Sequence, residues 1–318
     1  MISKLYTIES NSTDIFYNQG LEKALLDSVG ENELILYLWR NDNSVVIGKN
    51  QDAYAECHIE LLEADGGHLS RRLSGGGAVY HDLGNLNYTF ITCKENFNRS
   101  QQQNIIINAM CELGLNAYAS GRNDLLIDGR KFSGTAYYIG KQGCFQHGTL
   151  LINGDMNNMS RYLNVSNSKL QKHYVSSLPS RVINLCQIQG SLSLDTIKRS
   201  LYYSLSHEYG LVCKQICPPV GVERHTSFFS DPKWRYGRRL DNSITIDNSD
   251  CRVQLIVNDG VITDVAIYTD SLDYTAYQIA QKKLKGCALS LDSIKTALNG
   301  NEDERNLAEW LIKECSNV

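Results

Sequence analysis

Three short segments hold the residues whose types and order could do chemistry. The first, Arg71 to Asn85, reads RRLSGGGAVYHDLGN. Its consecutive glycines, Gly75, Gly76 and Gly77, let the backbone adopt positive φ and approach a ligand with no Cβ in the way. Successive N–H groups in such a loop can cradle a phosphate. Arg71 and Arg72 lead in with fixed positive charge, and Ser74 adds a hydroxyl. After Ala78 a Val79-Tyr80-His81-Asp82 run follows, with enough polar chemistry to hold a nucleotide. A tight turn would use the same glycines, so this segment alone leaves a plain hairpin open. A P-loop would continue into Gly-Lys-Ser/Thr, and this segment does not.

The second segment, Asn123 to Tyr137, reads NDLLIDGRKFSGTAY. Asp128-Gly129 is a strong hairpin signal and places Lys131 just past the turn. A lysine there could be a solvated edge charge. The small residues Ser133-Gly134-Thr135-Ala136 nevertheless allow a ligand to come close, and Asn123 and Asp124 offer an amide and a carboxylate at the strand entry. In the third segment, His147-Gly148-Thr149 opens an apolar strand. A single histidine of this kind is more often a hydrogen-bonded structural group than a catalyst.

The elements that must position these residues follow from periodicity. Asp14 to Val29 has the apolar spacing of an amphipathic helix. Glu33 to Arg40 and Val45 to Gly48 are strands around an Asn-Asp-Asn turn, and Asn87 to Cys93 is another. Helices are expected over Gln101–Leu113 and Leu194–Tyr209, each stopped by a glycine. Asp124–Ile127 and Lys131–Ile139 form the hairpin, and Gln146–Asn153 is a further strand. Residues 224–239 are basic, aromatic and poorly periodic, and read as a loop or linker. Asn242 to Ile267 gives two or three strands with a turn at Asn258-Asp259-Gly260, and residues 271–285 and 290–315 give two helices. The expected architecture is α+β: a mixed-sheet catalytic domain over residues 1–240 and a small α+β accessory domain over 245–318.

Composition narrows the function classes. The chain of 318 residues carries a net charge of −4, so it is not a polyelectrolyte binder of nucleic acid, and any anion site must be local. It has no apolar run long enough for a membrane-spanning helix. The N-terminus lacks the pattern of a signal or transit peptide. Ten cysteines occur without a CxxC pair or zinc-like spacing, which suits buried thiols in a reducing compartment. The expectation is a cytoplasmic protein with no structural metal.

Taken together, the three segments resemble the lipoate–protein ligase A family. RRLSGGGAVYHDLGN is similar to its glycine signature, NDLLIDGRKFSGTAY to its lysine segment, and HGTLL to its third strand. LYLWRNDNSVVIGKNQDAYAE, FYNQGLEKALL and the tail beyond about residue 245 are also similar, so the likeness spans essentially the whole chain. It implies that lipoate and ATP give lipoyl-adenylate and pyrophosphate. The lipoyl group then passes to a lysine of a 2-oxoacid dehydrogenase E2 lipoyl domain or of the glycine-cleavage H protein. Lys131 would be catalytic, touching both the lipoate carboxylate and the α-phosphate.

By the same resemblance, Arg72, Gly75, Gly76, Gly77, Ala78, Val79, Tyr80, Asn85, Asn123 and Asp124, with Lys131, would bind ATP or the adenylate. Arg72, Ser74, Gly77, His81, Lys131, Gly134 and His147 would bind lipoate. Asp124 is the candidate ligand for a phosphate-bound Mg²⁺, with Asn85 a further candidate. The likeness also implies rotation of the two domains between the half-reactions. One departure is Tyr138, where the family often has a basic residue. A second is the run Trp234 to Arg239, which has no proline; its Arg238 and Arg239 could gate the site or meet an acidic acceptor. Alternative readings are an acyltransferase using a cysteine thioester, with Cys144 as candidate, a transferase of a preformed acyl donor, and a silent lipoyl-domain binder.

Overall fold

The computed structural model describes residues 1–121, 123–164, 182–237, 240, 243–247, 251–272 and 274–315. In chain order its elements are β1 (Lys4–Glu9), α1 (Ile15–Ser28), β2 (Glu33–Trp39), β3 (Ser44–Ile47), α2 (Ala53–Glu56), α3 (Ile59–Ala64), β4 (His68–Arg71), β5 (Val79–His81) and β6 (Asn85–Thr92). There follow α4 (Arg99–Glu112), β7 (Ala117–Ser120), β8 (Asp124–Ile127), β9 (Arg130–Ile139), β10 (Cys144–Leu151), α5 (Met156–Tyr162), α6 (Leu185–Ile188), α7 (Leu194–Tyr209), β11 (Cys213–Gln215), α8 (Val222–Ser230) and α9 (Pro232–Tyr236). The chain ends with β12 (Ile244–Asp247), β13 (Cys251–Asn258), β14 (Val261–Thr269), α10 (Thr275–Leu284), α11 (Leu291–Ala297) and α12 (Glu302–Cys315).

The main sheet is mixed, as expected, with strand order β11-β1-β2-β6-β10-β9-β8-β7. Alternation along β2 splits its side chains between two layers. Leu34, Leu36 and Leu38 join the core under α4 and α7, with Ile106, Met110, Leu201 and Leu205. Ile35, Tyr37 and Trp39 face the other way, toward α1, and pack with Leu21, Leu25 and Phe145. That second face carries the site. A small sheet of order β4-β3-β5 completes its wall.

The hairpin at Asp128-Gly129 forms with φ of 50° and 74° at its two central residues, the left-handed pair that a tight two-residue turn demands. Its partner strands are not in simple register. Leu125 pairs with Ser133 and Leu126 with Lys131, leaving Phe132 as an extra residue on β9. Such a bulge re-aims the side chains on either side of it. Phe132 enters the core with Leu125 and Ile127, while Lys131 and Gly134 come to share the opposite face.

Within the expected linker, residues 224–237 are not a plain loop. Val222–Ser230 and Pro232–Tyr236 are helical, with Asp231 capping the second and proline at its first turn. Val222 and Phe229, seven apart, are buried, and α8 packs on α1 so closely that a Cβ on Gly20 would lie 2.6 Å from Thr226 Oγ1. Two buried positions in nine residues are too few for periodicity to reveal. Arg235 donates to the Leu69 carbonyl at 2.8 Å, so part of the basic character is spent inside the fold. Arg238 and Arg239 lie outside the described residues. The expected helix over 290–315 is two helices, broken at Leu298 to Asn301.

Residues from Ile244 onward pack around a core of their own, including Val253, Leu255, Ile267, Leu284 and Leu311. The three-stranded sheet β12-β13-β14 forms one side of it. This module contacts the larger body through polar groups. Thr269 N–H donates to the Asn50 carbonyl at 2.9 Å, and Arg252 pairs with Asp52 at 3.0 Å.

Candidate active site

A cavity of about 200 Å³ lies on the α1 face of the main sheet. The glycine loop contributes Gly76, Gly77, Ala78, Val79 and His81 to it, and the lysine hairpin contributes Asn123, Asp124, Lys131, Gly134 and Ala136. His147 enters from β10, Asn87 from β6, Trp39 from β2 and Gln19 from α1. The three segments singled out by the sequence therefore meet around one space.

Arg72 sets the shape of the glycine loop from behind. It is 7% exposed, and its Nη2 donates to the carbonyls of Gly75 at 2.7 Å and Gly77 at 2.8 Å. Its Nε reaches Ser74 Oγ at 3.0 Å, and its Nη1 the Val46 carbonyl at 3.1 Å. Burial lowers its pKa to about 10, with the Glu22 carboxylate opposing that shift. Gly76 has a φ of +91°. A Cβ on the facing Gly48 would lie 2.1 Å from the Gly76 carbonyl oxygen, so this crossing requires glycine on both sides. Most of the Arg72 donors are thus committed to the loop, although Arg72 also lines the cavity.

Arg71, next in the chain, does something different. Its guanidinium donates to the carbonyls of Gly48, Lys49, Gln51, Trp234 and Tyr236. It ties β4 to α9 and to the loop that receives Thr269.

On the opposite wall, Lys131 Nζ lies 2.8 Å from Asp124 Oδ1, and both side chains are about one-third exposed. A Cβ on Gly134 would stand 2.9 Å from Lys131 Nζ, so the small residue gives the ammonium its room. Asn123 Oδ1 has no hydrogen-bond partner among the described residues.

Between the walls runs a buried polar chain. Glu22 Oε1 accepts from Thr89 Oγ1 at 2.8 Å and is 2.9 Å from His147 Nδ1. His147 Nε2 is 2.7 Å from Ser74 Oγ, which accepts from Arg72 Nε. The Trp39 indole N–H donates to Thr89 Oγ1 at 3.0 Å. His81 is held separately. Asn41 Nδ2 lies 2.8 Å from His81 Nδ1, and Asn41 Oδ1 already accepts from Asn18. The Asn41 amide therefore donates to Nδ1, and the proton of neutral His81 sits on Nε2. Burial, with Arg72 and His147 nearby, lowers the His81 pKa to about 3.

Not every expected residue reaches the cavity. Tyr80 points to the other side of β5, where it meets Asn43 and tilts against Tyr162 at 5.6 Å between ring centroids; strand alternation puts Val79 and His81 inward instead. Ser74 and Gly75 lie behind the lining. Asn85 is buried and donates to Asn87 Oδ1 at 3.1 Å, so it supports a cavity residue without being one. Tyr138 stacks on Phe145. Cys144 is fully buried in β10, burial raises its thiol pKa, and it is not among the cavity residues.

The small-residue run and the third segment do supply Thr135, Ala136, Gly148 and Thr149 to the cavity, but sequence reasoning missed Gln19, Glu22, Trp39, Val46, Asn87 and Leu272. Asn87 and Trp39 were within reach, because period-two alternation carries inward from Asn85 and Tyr37. Leu272 was not: it comes from the small module and packs over Gly76. No cluster of three or more His, Cys, Asp or Glu side chains suited to a metal occurs among the described residues. No helix among them is long and apolar enough to cross a membrane.

A mixed sheet thus carries a cavity between a glycine loop and a lysine hairpin, with a small module after it. Residues 14–206 match the family model described as the lipoyl protein ligase A/B catalytic domain. Residues 240–314 match the bacterial lipoate protein ligase C-terminus. The chain is 34% identical to the lipoate-protein ligase A of Bdellovibrio bacteriovorus over 337 aligned residues, covering 98% of this chain and 99% of the relative. The crystal structure of P. falciparum LipL1 in complex with lipoate is similar with a TM-score of 0.81 at 27% identity, covering 97% of this chain and 99% of that one. A bi-partite lipoate protein ligase from Thermoplasma acidophilum, described with its E2 lipoyl domain, is similar with a TM-score of 0.66 at 25% identity, covering 76% of this chain and 99% of that one. The chain belongs to the lipoyl protein ligase A/B family, and it is a ligase.

Proposed function

We propose that the protein activates lipoate with ATP and transfers the lipoyl group to a protein lysine. The supporting observation is the placement of Lys131 Nζ, beside Asp124, at a cavity whose other wall is the glycine loop. In the first step a lipoate carboxylate oxygen attacks the α-phosphorus of ATP. The bond to the β-phosphate oxygen breaks, giving lipoyl-AMP and pyrophosphate. Two anions must meet, and a fixed ammonium between them stabilises the charge that builds up. In the second step an acceptor lysine amine attacks the acyl carbonyl, AMP leaves, and the amine proton passes to solvent. Lys131 polarises that carbonyl.

Gly75 to Ala78, with Val79, shape the nucleotide wall, and Asn123 offers an unpartnered amide oxygen to the adenine. Tyr80 and Asn85 support this wall from outside the cavity. His81, Ser74, Gly134 and His147 belong to the acyl side. Asp124 suits a Mg²⁺ that keeps water and phosphate oxygens as its other ligands, since such sites need only one or two carboxylates. The ion would neutralise phosphate charge there. The acceptors are E2 lipoyl domains or the glycine-cleavage H protein, and the setting is the cytoplasm. Residues 1–240 are the catalytic unit and 245–318 the accessory unit. Incubating the protein with ATP, lipoate and apo lipoyl domain should add the mass of one lipoyl group to the domain. No added mass, with the acceptor folded, would refute the proposal.

A further inference from the structure

We propose that Glu22 is a positioning residue for the glycine loop, acting through His147 and Ser74. The inference deepens the proposed ligase reading without adding a substrate. Glu22 sits on α1, buried to 2% exposure, and does not line the cavity. A buried carboxylate is costly unless hydrogen-bonded or paired, so its contacts set what it can do.

Those contacts have a direction. A carboxylate accepts only, so His147 Nδ1 carries the proton toward Glu22. With the ring in its neutral form, Nε2 accepts and the Ser74 hydroxyl donates to it. Ser74 Oγ is left free to accept from Arg72 Nε. The order runs Arg72 to Ser74 to His147 to Glu22, with a cation at one end and an anion at the other, and the Arg72 Nε–H is shared with the Gly75 carbonyl at 3.2 Å. Glu22 is thereby the counter-charge of Arg72 across His147 and Ser74. Arg72 in turn holds the carbonyls of Gly75 and Gly77. In a trans peptide the C=O and the following N–H point opposite ways. The N–H groups of Gly76 and Ala78, both cavity residues, are therefore turned away from Arg72. Those are the donors an incoming phosphate would meet.

Without the acceptor at position 22 the histidine loses its tautomer preference, Ser74 loses its fixed direction, and Arg72 is released from the loop. The test uses the full chain. Glu22→Ala should raise the KM for ATP in lipoate-dependent pyrophosphate exchange by about tenfold or more, the scale of a lost charged hydrogen bond. Its kcat should stay within about threefold. Glu22→Gln keeps an acceptor oxygen and should return the KM to within about threefold of the parent. It also covers the case in which the alanine variant does not fold. ¹⁵N NMR should show His147 protonated on Nδ1 in the parent and in Glu22→Gln.

Adding Ser74→Ala to Glu22→Ala should raise the KM no further than the worse single change, because both break one chain. Multiplying effects, an unchanged KM in Glu22→Ala, or a His147 proton on Nε2 in the parent would overturn the proposal. If the parent shows no exchange, the ligase reading fails. The positioning role is then decided by calorimetric binding of ATP to the same variants, with the same expected pattern in Kd.

Discussion

Lys131 Nζ and Asp124 Oδ1 stand 2.8 Å apart at the cavity, on neighbouring strands brought together by an extra residue, Phe132, in β9. The pair is partly exposed, so its own contribution to stability is at most about 1 kcal/mol. Asp124→Asn should therefore leave the melting temperature within a few degrees of the parent. The same change should lower the exchange rate by about tenfold or more and raise the Mg²⁺ concentration needed for half-maximal rate. Titrating Mg²⁺ against both proteins checks this, and superimposable curves would remove Asp124 from the site.

The pH dependence of folding should carry the signature of His81. Its folded pKa is about 3, against about 6.5 in an unfolded chain. Between those values the unfolded state binds the proton and the folded state does not, so stability falls as pH drops from 6.5 toward 3. One proton gives a slope of up to about 1.4 kcal/mol per pH unit. Urea unfolding of His81→Gln at pH 4, 5, 6 and 7 should show a shallower slope than the parent. Parallel slopes would contradict the buried neutral histidine.

The crossing of Gly48 and Gly76 should be intolerant of any side chain. A Cβ at Gly48 meets backbone at 2.1 Å, whereas one at Gly77 meets nothing within 4 Å. Gly48→Ala should cost about 1–3 kcal/mol through forced displacement of the loop and should weaken ATP binding. Gly77→Ala should melt with the parent. Thermal unfolding of the two variants side by side is sufficient, and equal melting temperatures would show that the loop is not fixed by this contact.

Cys144 is buried and its thiol pKa is raised, the opposite of an activated nucleophile. Cys144→Ala should retain parental transfer rates at a stability cost of roughly 1 kcal/mol. A trapped acyl-thioester in the parent, lost in Cys144→Ala, would reinstate the thioester route.

Much of this was legible in the sequence wherever local chemistry dictates structure. Asp128-Gly129 announced its turn, because only residues tolerant of left-handed φ serve there. ELILYLW announced a buried strand. The three cavity segments were found because glycine, lysine and small residues leave a mark in composition. What failed was long-range. The bulge at Phe132 changes which face Lys131 occupies without changing any residue type. Glu22 on an amphipathic helix reads as a solvated charge until Thr89 and His147 are seen against it. Leu272 reaches the cavity from another module. The helix Val222–Ser230 was hidden because its stripe is short, with only Val222 and Phe229 buried, and its close packing against Gly20 is visible only in three dimensions.

The central claim is that Lys131 serves acyl-adenylate formation. Lipoate-dependent ATP–pyrophosphate exchange, measured on the parent and on Lys131→Ala with folding checked by circular dichroism, tests it most directly. The account predicts exchange in the parent only when lipoate is present, and a loss of about a hundredfold or more in the folded variant. Exchange that ignores lipoate, or that persists at the parental rate in Lys131→Ala, would contradict it.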